Sequence, residues 1–271
     1  MRKSSGHRVE RRTAVITGAS SGIGEAFARR LAGEGYNLLL VARRRALLAK
    51  LALHLETTNH ITAAVMAADL STDEGIRKVE KRISADPAIE ILVNSAGFGT
   101  RGFFAEVEAV KSQNMVCLHV MAVMRLTRAV LPNMLANRKG SIIQVSSIGA
   151  FFTTAHYVVY SATKAFINML VQGLHEELAG TGVRIQALCP GLTRTGFMCT
   201  EEFNEFNYSK IPEFAWMSPE QVVDESIAAL NRDRLICIPG RGNRIFVGAL
   251  KTPVIKQIIG LAAKYLRHDL Y

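Results

Sequence analysis

Short apolar, β-branched runs alternate along this chain with longer segments whose apolar residues recur at helical spacing. Thr13 to Thr17 reads as a first strand, followed by the turn Gly18-Ala19-Ser20-Ser21-Gly22-Ile23-Gly24 and a helical segment from Glu25 to Leu31. Further strands are predicted at Asn37 to Ala42, Ile61 to Ala67, Ile89 to Val93, Gly140 to Val145, Val183 to Leu188 and Leu235 to Ile238. Between them lie helical patterns. One runs from Val107 to Leu135, with Pro132 kinking or trimming its last turns, and another from Tyr160 to Leu178, closed by Gly180 and Gly182. Ser71 with Glu74 three residues on reads as a capping box, and Ser218-Pro219-Glu220 as a helix start. Arg241-Gly242-Asn243-Arg244 reads as a basic turn before a last amphipathic helix, Val254 to Arg267. About seven strands with helical crossovers predict an α/β fold: a Rossmann-type doubly wound parallel sheet flanked by helices, which binds ligands across the strands' carboxyl ends.

The 271 residues suit one domain with a sizeable core, and there is no interdomain linker or repeat. Residues 1–12 read as a disordered basic leader and 13–271 as the folded domain. Residues 196–217 depart from the alternation and hold Phe197, Met198, Phe203, Phe206, Tyr208, Phe214 and Trp216, a composition that suits either a lid over an apolar substrate or a self-packed surface element. The formal charge of +10 could attract a polyanion, an anionic membrane or a phosphorylated ligand, and is equally met by a solvated basic surface. The helix within 251–271 could likewise lie on a membrane, on a partner or on its own domain. No apolar segment reads as long and charge-free enough to span a bilayer. The cysteines are scattered and the histidines unclustered, so no metal site is expected and the thiols read as reduced, in a cytoplasmic protein.

The candidate chemistry centres on Tyr160 and Lys164, one helical turn apart on the same face, with Ser147 thirteen residues before Tyr160. A phenol titrates near ~10 in water, and a neighbouring ammonium would draw that value down. The glycine turn, set between strand and helix, lets backbone approach a diphosphate while the helix N-terminus favours its charge. At the end of the second strand, Arg43 stands where an acid would select a free ribose hydroxyl and an arginine a 2′-phosphate; Arg44 and Arg45 read as the solvated start of the next helix. Asp69, followed by Leu70, ends the third strand as a ligand or a cap, and Asn94-Ser95-Ala96-Gly97 ends the fourth. His119, in the long helical stretch, reads as a packing residue or a catalytic one.

Together these motifs resemble the short-chain dehydrogenases/reductases over about Thr13 to Val247, in that family's order and spacing. Thr17-Gly18-x-x-x-Gly22-x-Gly24 is similar to its cofactor turn, Asp69 to its adenine-contacting acid, and Asn94-Ser95-Ala96-Gly97 to its Asn-Asn-Ala-Gly motif. Ser147 is similar to its catalytic serine and Tyr160-x-x-x-Lys164 to its catalytic pair. Pro190-Gly191 with Thr193 and Thr195 resembles the segment that holds the nicotinamide half. Ser95 replaces the second Asn of the family's motif, and His119 stands where its fourth catalytic member, an Asn, helps hold a relay water.

The resemblance implies hydride transfer between NADP(H) and a hydrophobic ketone or 3-oxoacyl-type carbonyl. Tyr160 would be the acid or base, Ser147 would steady the oxygen, Lys164 would bind the nicotinamide ribose, and His119 is a candidate for the relay. The cofactor contacts it implies are Thr17, Gly18, Ser20, Ser21, Gly22, Ile23, Gly24, Arg43, Asp69, Leu70, Asn94, Ala96, Gly97, Tyr160, Lys164, Pro190, Gly191, Thr193 and Thr195. It further implies a homodimer or homotetramer, paired through helices around 107–135 and 160–178, with no nucleic-acid partner. Two other readings remain open: an NADP-binding regulatory protein without turnover, and a membrane- or polyanion-associated interaction protein.

Overall fold

The computed structural model describes residues 12–153, 155–199 and 211–250. Seven strands form one parallel sheet in the order β3-β2-β1-β4-β5-β6-β7. They are β1 (Thr13–Thr17), β2 (Asn37–Ala42), β3 (Ala63–Ala67), β4 (Ile89–Asn94), β5 (Gly140–Val145), β6 (Val183–Leu188) and β7 (Ile236–Cys237). The order reverses between β1 and β4, which opens a crevice at their carboxyl ends.

Strand side chains alternate between two apolar layers. Ala14, Ile16, Leu38 and Leu40 join a cluster with α1 (Gly22–Gly33), α2 (Arg45–Asn59) and α7 (Pro219–Leu230), while Val15, Leu39 and Val41 join one with α3 (Asp73–Ser84), α5 (Val123–Ala136) and α6 (Val158–Glu177). With both faces covered, the strands can be as apolar as the sequence has them.

Several boundaries differ from expectation for local reasons. The third strand starts at Ala63, opposite Leu38, because the Thr62 N–H is taken by the Asn37 side chain at 2.9 Å. Thr72, not Ser71, caps α3: its hydroxyl accepts from the Gly75 N–H at 3.1 Å, while Ser71 turns back onto Asp69. Arg241 to Arg244 is no turn but the start of α8 (Arg241–Ala249), held by Arg244 donating at 2.7 Å to Glu225. Arg12 is not part of a leader: it donates to the Glu34 carbonyl at 2.9 Å and lies over the Tyr36 ring. The rest of the leader, residues 200–210 of the aromatic segment and the Val254 to Arg267 helix lie outside the described residues.

The long helical stretch is α4 (Ala109–Val116), a π-helical turn (Cys117–Ala122) and α5 in continuous succession, with Pro132 inside it. Contrary to expectation, its 28 residues are long and apolar enough, at a mean hydropathy of 1.4, to cross a membrane by length and composition. Core packing explains part of that composition, since Met115, Ala122, Val123, Leu126, Val130 and Met134 are buried in the protein interior, whereas Val116, Met121, Met124 and Leu135 are exposed.

Candidate active site

Loops from the carboxyl ends of β1, β4, β5 and β6 converge on the amino-terminal part of α6, and each is tied to its neighbour. After β1, the buried Thr17 hydroxyl accepts from the Ser95 and Ala96 N–H groups at 3.0 and 3.1 Å, which fixes the turn after β4. Gly18, at φ +68°, lies so close to that turn that a Cβ would stand 2.9 Å from the Ala96 backbone. Gly24 backs onto the Gly18 carbonyl and Gly22 onto Thr195. Ile23, in the first turn of α1, is partly buried against the core. After β5, the Ile148 N–H donates to the Pro190 carbonyl at 3.0 Å, so the Ser147 turn and the Pro190-Gly191 turn form one wall.

The expected cofactor contacts differ in how deeply they are buried. Thr17, Leu70, Asn94 and Pro190 are buried. Their side chains help to build the crevice from the protein interior. Asn94, for example, donates to Gln144 at 3.0 Å and so links β4 to β5, and Gln144 in turn donates to Thr127 at 2.7 Å. Ser20, Ser21, Gly22, Ala96, Gly97, Gly191 and Thr195 retain accessible surface, whereas Thr193 is buried and bonds the Gly191 carbonyl at 3.0 Å.

The cofactor turn and its basic neighbours fit a dinucleotide. Ser21 starts α1 without a side-chain cap, so the first N–H groups of the helix remain for a phosphate. Arg44 donates to the Ser20 hydroxyl at 2.9 Å and to Ser21 at 2.8 Å. It is therefore part of this surface, contrary to the expectation of a merely solvated residue. Nothing local distinguishes it within Arg43-Arg44-Arg45. Burial alone would raise the Asp69 carboxyl, but the Ser71 hydroxyl and N–H, with nearby Arg43, bring it below its usual range.

At the centre, the Ser147 hydroxyl accepts from the Gly149 N–H at 3.0 Å and hydrogen-bonds the Tyr160 phenol. With one lone pair occupied by Gly149, its proton is free to point to Tyr160 or to a carbonyl oxygen there. Lys164, buried on the same face of α6, donates to the Val145 carbonyl at 2.8 Å and lies 5.7 Å from the Tyr160 ring centre. The expected lowering of Tyr160 by this ammonium is not what governs the pair. Burial raises the Tyr160 phenol, only partly offset by Ser147, and burial lowers Lys164 to about 8. Phe197 packs 6.0 Å from the Tyr160 ring, centre to centre, and gives that side of the site an apolar edge.

His119 is buried in the π-helical turn, 6.0 Å from the Tyr160 ring and edge-on to it. Its Nε2 accepts from the Phe98 N–H at 3.3 Å and its Nδ1 bonds the Thr163 hydroxyl at 3.0 Å. Both ring nitrogens are thus engaged by protein, which does not suit the expected relay water. Burial, then the nearby Lys164, push the imidazole well below its usual range.

A sequence profile for short chain dehydrogenases matches residues 12–205. The uncharacterized oxidoreductase YmfI of Bacillus subtilis strain 168 is 36% identical over 223 residues, 81% of this chain and 91% of that protein. A short-chain dehydrogenase from Sphingobium yanoikuyae, solved in complex with NADPH, superimposes with a TM-score of 0.79 at 30% identity, covering 96% of both chains. The bulky-bulky ketone specific alcohol dehydrogenase from Comamonas testosteroni aligns with a TM-score of 0.76 at 33% identity, covering 96% of this chain and 95% of that one.

Proposed function

This chain belongs to the short-chain dehydrogenase family and is an oxidoreductase acting on CH–OH and C=O groups, and from that premise we propose that it reduces a hydrophobic ketone or 3-oxoacyl-type carbonyl with NADPH, using Tyr160 as general acid. The observation that carries this reading is the Tyr160 phenol hydrogen-bonded to Ser147, with the buried Lys164 ammonium 5.7 Å from its ring centre on the same face of the helix.

NADPH, when bound, supplies the hydride. Tyr160, held as a phenol by burial, hands its proton to the carbonyl oxygen as negative charge grows there. The Ser147 proton is aimed at the same oxygen and stabilises that charge. Lys164 has N–H groups beyond the one spent on Val145, and these would hold ribose hydroxyls. The glycine turn and the start of α1 would take the diphosphate. Arg43, Arg44 and the Ser20 hydroxyl would take the ribose 2′-phosphate, for which two guanidinium groups are suited. Phe197 beside Tyr160 supports an apolar substrate. The ketone named for the Comamonas enzyme agrees with that class.

A homo-oligomer is supported by apolar side chains left exposed on the expected pairing helices, Met121 and Met124 on the long one and Met169, 68% exposed, on α6.

An NADPH-oxidation screen over chemically varied carbonyls tests the activity. We expect turnover of bulky apolar ketones and little of small polar ones. Tight NADPH binding with no turnover on any carbonyl would favour a binding-only protein instead.

A further inference from the structure

We propose that His119 is a positioning residue, locked as the neutral Nδ1–H tautomer, which braces the loop after β4 against the Tyr160–Lys164 helix through both nitrogens of its ring. The proposal rests on the reading of Tyr160 as the proton donor.

Hydrogen-bond polarity fixes the tautomer. The Phe98 backbone N–H can only donate, so the Nε2 facing it at 3.3 Å must present a lone pair, and the ring proton lies on Nδ1. The Thr163 hydroxyl spends its single proton on the Tyr160 carbonyl at 2.8 Å, so towards Nδ1 it accepts at 3.0 Å. The result is a one-way chain from Nδ1–H through Thr163 to the backbone of Tyr160. A protonated ring could not accept from Phe98, and the neighbouring Lys164 ammonium opposes such a charge.

Two features of the chain are built around this contact. Gly97 lies so close that a Cβ there would stand 2.9 Å from Nε2, so only glycine lets the imidazole lie against the backbone of the loop. The π-helical turn, with its extra residue, aims His119 away from the regular helical stripe and into the space between β4 and α6. The ring then touches both partners of the reaction's geometry. On one side is the loop expected to border the nicotinamide, and on the other the turn of α6 that carries the proton donor and the ribose-binding ammonium. The brace sets their separation, on which the rate of a positioned proton transfer depends steeply.

Nitrogen NMR on histidine-labelled protein tests the tautomer directly. The His119 signals, assigned by their loss in His119→Gln, should show a protonated Nδ1 and a bare Nε2 that do not titrate across the neutral range. A protonated Nε2, or a ring that titrates near its ordinary value, would overturn the proposal. A double-mutant cycle on unfolding, with His119→Phe and Thr163→Val, should show strong coupling, and additive effects would count against the brace. Neither readout involves substrate, so failure of the brace is distinguishable from failure of the reductase reading. In turnover, His119→Phe keeps the ring's bulk but loses both bonds and should lower kcat roughly 10- to 100-fold. His119→Gln, which again offers an acceptor and a donor, should recover most of that loss. Equal losses in the two variants, or none in His119→Phe, would contradict the positioning role.

Discussion

The Lys164 ammonium lies 5.7 Å from the centre of the Tyr160 ring and spends a proton on the Val145 carbonyl at 2.8 Å, so the two share a helix face without an ion pair. Each titrates by its own burial, the phenol upward and the ammonium down to about 8.

The first prediction concerns that ammonium. A fall from the 10.5 of a solvated lysine to about 8 marks a burial penalty on the order of 3 kcal/mol. Between those values the unfolded chain binds the proton and the folded one does not, so stability rises with pH through this window and the full penalty applies below about 8. Denaturant titrations should show this rise as a difference between the native protein and Lys164→Met, because buried Cys189 and Cys237, both pushed up to about 12, lower the stability of both proteins from about 9 upward. NADPH affinity should move the other way, weakening as pH climbs through about 8 and the ammonium is lost. A Lys164→Met variant that keeps the same pH-dependent gain in stability would refute the assignment.

Removing the phenol separates binding from chemistry. Tyr160→Phe keeps the ring against Phe197 and loses only the proton donor. We expect kcat to fall by about 100-fold or more, with the NADPH dissociation constant, followed by fluorescence, changing little. Full activity in this variant would end the reductase mechanism given above.

The contacts of Arg44 with Ser20 and Ser21 add a second guanidinium to the 2′-phosphate site proposed at Arg43. Arg43→Ala and Arg44→Ala should each weaken NADPH by roughly 10-fold or more while changing NADH far less, because a charge-assisted contact to the 2′-phosphate has no counterpart in the unphosphorylated cofactor. Calorimetric titration of both cofactors measures this. Equal effects on the two would place the phosphate elsewhere.

The sheet was legible because a parallel strand covered on both faces is a short apolar run, and β2 and β6 have the bounds that their runs predict. Ser147, Tyr160 and Lys164 were legible because helical spacing and strand order already place them at one end of the sheet. The π-helical turn at Cys117–Ala122 was not, since one extra residue in a continuous apolar stretch leaves the hydrophobic pattern almost unchanged. Ser71 and Thr72 are both competent caps, and the choice is made by Asp69, which draws Ser71 to itself. The separate titration of Tyr160 and Lys164 depends on how deeply each is buried, and spacing along a helix carries no such information.

Thr17 offers the last test, because it separates a residue that builds the crevice from one that touches its contents. Its buried hydroxyl accepts from two consecutive N–H groups, those of Ser95 and Ala96, and Gly18 beside it leaves no room for that turn to shift towards β1. Thr17→Val keeps the shape and strands both donors, a change that should cost about 1–3 kcal/mol of stability. The freed loop should then bind NADPH and NADH more weakly by the same factor, because the loss falls on the loop's order and not on the 2′-phosphate. Melting curves and paired cofactor titrations decide the matter. A selective loss of NADPH, with stability unchanged, would mean that Thr17 acts at the phosphate directly and not through the Ser95–Ala96 turn.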